Sequence, residues 1–137
     1  MNPYSRYQQQ SYESMSPEEL LVALFDRALR DLKYASIAAE DEDWATFDEN
    51  LDHFGRIVNH LMKTLDRSYE ISNDLYRLYD FLQYDTGKVK AGRARQTKEL
   101  PAMIGIVQNL RDGFDGASKK APNAVSASNL EEPKFMA

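Results

Sequence analysis

Apolar positions along this chain gather into four stretches with helical spacing, divided by short polar links. In the first, Leu21, Leu24, Ala28, Leu32 and Ala35 fall three or four residues apart, and Leu20, Phe25 and Leu29 widen the face. Its start is marked by Ser16-Pro17-Glu18-Glu19. Ser16 suits an N-cap, Pro17 the first helical position, and Glu19 the return arm of a capping box. The second stretch, Trp44, Phe47, Leu51, Phe54, Val58, Leu61 and Leu65, steps alternately by three and four, with Asp43 as its cap and Ile57 and Met62 broadening it. The third carries Ile71, Leu75, Leu78, Leu82 and Val89, with Asp85 the odd member of the seam and a second apolar face in Tyr76, Tyr79 and Phe81. The fourth carries Leu100, Met103, Val107, Leu110, Phe114 and Ala117, with Pro101 in its first turn.

These patterns predict helices over about 17–40, 44–66, 71–90 and 99–117. Nothing alternates as a strand does. The expected fold is all-α, an antiparallel four-helix bundle over 16–118, because short links join neighbours that run in opposite directions. An N-terminal arm, 1–15, precedes it and carries Tyr4, Tyr7 and Tyr12. From 119 the chain turns rich in Ala, Ser, Asn and Pro and reads as a disordered tail. Gly87 and Gly92 are expected to weaken the end of the third helix.

Composition narrows the function. The 137 residues suit one domain with a core of its own. The net charge of −5 argues against nucleic acid or an anionic membrane as the main partner. The basic stretch Lys88, Lys90, Arg93, Arg95 and Lys98 has no interleaved aromatics, and it reads better as cations at the negative end of a helix. No apolar run has the ~20 residues of a membrane span, and the opening residues lack the apolar core of a signal peptide. The chain has no cysteine, which removes disulfides and thiolate metal sites and suits a reducing cytoplasm.

Catalytic and metal chemistry find little footing. The acidic run Glu40-Asp41-Glu42-Asp43 does not open an EF-hand: counting from Asp41, Thr46 and Asp52 occupy the positions that need glycine and glutamate. The residues three before His53 and His60 are Asn50 and Ile57, so the Glu-x-x-His pairs of a di-metal bundle are missing. No phosphate-binding loop or nucleophile elbow occurs, and no cofactor is expected. His60-Leu61-Met62-Lys63 resembles the His-x-x-Lys core of histidine phosphotransfer domains, but Thr64 follows where that family usually has glycine. Phosphotransfer through His60 is therefore one alternative. A bundle adaptor for some other amphipathic client is another. Eight tyrosines and six phenylalanines, with Tyr76, Tyr79, Phe81 and Tyr84 crowding one helix, point instead to a groove for an amphipathic helix or a long unfolded peptide.

Ordered motifs then resemble one family. Tyr7-Gln8-Gln9, Ser16-Pro17-Glu18-Glu19-Leu20, Leu24-Phe25-Asp26 and Ala28-Leu29 are similar to the opening of the flagellin-specific flagellar export chaperones (FliS). Leu61 and Leu65-Asp66, then Leu75 with Leu78-Tyr79-Asp80-Phe81, then Leu110-Arg111-Asp112 resemble the family's later helices. The chain departs from the family at Tyr84-Asp85-Thr86, at Val89-Lys90 and at Phe114, so the corner between the third and fourth helices is expected to be shorter, looser or differently packed. The resemblance implies a cytoplasmic protein that is not an enzyme. It implies binding of the disordered C-terminal segment of flagellin, prevention of early polymerisation, and presentation to the membrane-embedded flagellar export gate. The partner-binding residues expected on this basis are Tyr4 and Tyr7 in the arm, Leu75, Tyr76, Tyr79 and Phe81 on the third helix, and Ile57 and Leu61 as a facing wall. Neither direct membrane insertion nor nucleic-acid binding is expected. A homodimer is compatible with the pattern.

Overall fold

The computed structural model describes residues 14–120. Four helices run in order: α1 (Pro17–Glu40), α2 (Trp44–Lys63), α3 (Glu70–Gly92) and α4 (Leu100–Lys120). Two 3-10 turns, Arg93–Arg95 and Thr97–Glu99, join α3 to α4. Among the described residues there is no strand. The expectations for Tyr4 and Tyr7 and for most of the tail lie outside the described residues; α4 itself continues to Lys120.

The helix starts follow from their caps. The Ser16 hydroxyl accepts from the Glu19 amide at 3.1 Å, and the Glu19 carboxylate accepts from the Ser16 amide at 3.2 Å. The capping box is complete, so two donors that no helical carbonyl can reach are satisfied. At α2 the Asp43 carboxylate accepts from the Thr46 amide at 3.2 Å, and hydrogen bonding from Thr46 holds the Asp43 carboxyl below its usual range. The end of α2 comes at Lys63, before the boundary at 66 expected from the apolar seam. Thr64 closes the helix with its hydroxyl, which donates to the His60 carbonyl at 2.9 Å. Leu65 still enters the core, but from the link. Ser72 anchors that link by donating to the Asp66 carbonyl at 2.5 Å.

The corner after α3 does depart from a plain glycine stop. The helix runs through Gly87 and ends at Gly92, where an added Cβ would stand 2.2 Å from Cγ of Gln96. The left-handed residue is the next one, Arg93, with φ 49° and ψ −125°. Such a backbone costs a side-chain-bearing residue free energy. Arg93 is held by Asp48 at 3.1 Å and lies over the Trp44 ring at 5.5 Å.

The core draws on all four helices. Phe25 and Leu32 of α1, Phe47, Leu51, Phe54 and Val58 of α2, Tyr79, Leu82 and Val89 of α3, and Met103 and Val107 of α4 are fully enclosed. Each large side chain buried in this way contributes roughly 1.5–3 kcal/mol. Phe25 stacks on Phe114 at 5.7 Å, fastening α1 to α4. Around the bundle, α1 lies against both α2 and α4, and α3 lies against α2. The fourth side is different: α3 and α4 bring few backbone positions close together. Their side chains share one core, but fewer of their backbone positions come close together than on any other side of the bundle.

Candidate functional site

The two flanks of α3 are oriented by their partners. On one, Gln83 donates to the Gly55 carbonyl at 2.9 Å, and Lys90 meets Asp52 at 2.6 Å; this flank faces α2. On the other, Lys88 lies 3.6 Å from Glu99 of the connector to α4. Ile71, Leu78, Phe81 and Asp85 step along this second flank at intervals of seven, three and four, the spacing of one helix face. It therefore borders the wide α3–α4 side. Ile71 is 58% exposed and Phe81 44%, while Tyr84, one turn further out, is 70% exposed. Across the gap, Ile106 and Leu110 of α4 are half-buried against the core. They lie on the flank turned away from α1, which α4 engages through Arg111 and Asp26 at 2.9 Å.

The result is a long apolar border with a wet outer edge. Beneath it are Leu75, Leu82, Met103 and Val107, all buried. One polar group interrupts it. Asp85 is 2% exposed, and its Oδ2 has no hydrogen-bond partner. Burial pushes its carboxyl upward, the Glu99 charge adds to that, and Lys88 opposes both. No group of three or more metal-ligating side chains occurs among the described residues.

The residues singled out in the sequence are distributed unevenly about this border. Phe81 stands on it. Leu75 and Tyr79 lie beneath the surface of α3, and burial pushes the Tyr79 phenol well above its ordinary range. Ile57 and Leu61 are buried on α2. Tyr76 is half-buried seven residues before Gln83, on the flank of α3 that faces α2, with the Arg67 guanidinium over its ring at 4.1 Å. Ile71 and Leu78 were not among those residues, because they share a period with the core seam, which hides their exposure; Tyr84 was counted among the aromatics that crowd the helix but not among the expected contacts. The two histidines have separate settings. His53 pairs with buried Asp31 of α1 and ties α1 to α2, whereas His60 is exposed in the last turn of α2. Among the described residues no helix is long and apolar enough to cross a membrane.

Comparison with known proteins sets this geometry in context. A family model described as flagellar protein FliS matches residues 1–121. A flagellar secretion chaperone FliS of Bacillus subtilis (strain 168) is 32% identical over 116 residues, covering 85% of this chain and 86% of that protein. A solved flagellar chaperone from bacteria superposes with a TM-score of 0.71 over 86% of this chain and 96% of its own, at 22% identity, a likeness of fold.

Proposed function

This chain belongs to the FliS family of flagellar proteins, and from that premise we propose that it binds the C-terminal segment of flagellin along the α3–α4 border. The family is one of flagellar secretion chaperones, not of enzymes. The observation that carries the reading is the apolar border itself: Ile71, Leu78, Phe81 and Tyr84 on α3, opposite Ile106 and Leu110 on α4. An amphipathic segment seated there covers apolar surface that this fold leaves in water.

The mechanism is masking. A client segment that orders on binding loses conformational entropy, so it needs a long contact surface rather than a small pocket. Held on the bundle, the segment is withheld from polymerisation and can be carried through the cytoplasm to the export gate. Tyr4 and Tyr7 of the arm, outside the described residues, are the further client contacts that the family resemblance implies.

The test is calorimetric titration of the chain with a flagellin C-terminal peptide, with circular dichroism of the mixture. Saturable binding, a negative heat-capacity change and a gain of helix are expected. Ile71→Asp and Phe81→Asp should each weaken binding about tenfold or more with little change in thermal midpoint. A peptide that does not bind, or that binds both variants as it binds the parent, would overturn the reading.

A further inference from the structure

The outer face of α1 carries a second pattern, independent of the client border. Leu20, Ala23, Arg27, Arg30, Tyr34 and Ile37 step three, four, three, four, three along the helix. Leu20, Tyr34 and Ile37 are 38%, 52% and 54% exposed, and both arginines are exposed. The stripe is therefore apolar at its ends and cationic in its middle, and it spans about 25 Å of helix. This spacing is that of a helix-pairing seam.

Its charges are available. Among the described residues neither Arg27 nor Arg30 makes an ion pair, while the neighbouring carboxylates of Asp26 and Asp31 are engaged by Arg111 and His53. A second copy of this chain is a poor occupant. The stripe is symmetric about the midpoint between Arg27 and Arg30, so antiparallel self-pairing sets Leu20 beside Ile37 but brings four guanidinium groups together at the centre. Parallel pairing stacks like on like as well.

We propose that the outer face of α1 docks an amphipathic helix of a partner protein whose seam is apolar at both ends and carries two carboxylates at its centre. Charge complementarity selects that occupant, and the 3–4 spacing selects its helical form. Because α1 is flanked by α2 and α4 and lies across the bundle from α3, this partner and a client on the α3–α4 border can be held together.

The test uses the full chain and two synthetic helical peptides with leucines at the seam spacing, one with two central glutamates and one with two central lysines. The glutamate peptide should bind about tenfold more tightly than the lysine peptide, and added salt should narrow the difference. Arg27→Glu with Arg30→Glu should reverse the order, Tyr34→Ala with Ile37→Ala should weaken both, and Phe81→Asp should leave the preference for the glutamate peptide unchanged. The proposal is overturned if the parent binds both peptides alike or if the double charge reversal leaves the order unchanged. It is also overturned if the parent sediments as a dimer that Ile37→Asp dissociates, which would make a second copy the occupant.

Discussion

Tyr79 and Phe81 are two residues apart, and the structure separates their roles. Two helical steps turn a side chain through about 200°, so one of the pair faces inward and the other outward. The sequence shows that both are aromatic on a helix with two apolar faces, and it has no signal for which face is inner. Tyr79→Ala is expected to cost about 3–5 kcal/mol by emptying a core position, read from the urea midpoint, whereas Phe81→Ala should stay within about 0.5 kcal/mol. Equal stability losses would contradict this division. Asp85 provides a pH-dependent counterpart. Its folded carboxyl is raised above its unfolded value, so the folded chain holds that proton more tightly. The stability that results is fully present below the ordinary carboxylate range and is lost as pH rises through the raised value. Asp85→Asn should therefore gain on the order of 1 kcal/mol at neutral pH and flatten the stability profile across that window. A profile parallel to the parent's would remove Asp85 as the source. As the polar interruption of an apolar seam, Asp85 was visible in the sequence. The lack of a partner for Oδ2 was not, because it depends on how the connector brings Glu99 up to Lys88 on the same flank of α3.

The helix starts at Ser16 and Asp43 were legible because a cap is a local device: the residue that bonds and the amide it satisfies lie within one turn. Ser16→Ala should cost about 1 kcal/mol, read as a lower denaturant midpoint with an unchanged slope, and Ser16→Gly clearly less. Helix ends were harder to read. The apolar seam of α2 continues to Leu65, yet the helix stops at Lys63, because burial of Leu65 does not require it to be helical. The corner after α3 was harder again. Two glycines suggested a loose end, but the turn is made at Arg93, whose unfavourable backbone is offset by Asp48 and Trp44, forty-five and forty-nine residues earlier in the chain. Contacts that distant in sequence have no local signature.

At the scale of the molecule, the bundle was legible from four amphipathic stretches and short links, whereas the inequality of its sides was not. Periodicity says that each helix has an inner face; it does not say how closely each pair of backbones approaches. Here α1 is flanked on two sides, and α3 lies close along one. That inequality carries a consequence in time as well as in space. The free energy needed to open a helix locally follows how much of it is packed, so the amides of α3 should exchange with deuterium ahead of those of α1, in openings that leave the rest of the bundle closed. A seated client should slow exchange in α3 more than elsewhere, and equal slowing across all four helices would contradict that. If the client seats as proposed, the helix that meets it is the one that can breathe, so loading and release need no global unfolding and the lifetime of the complex is tied to how often one helix lifts.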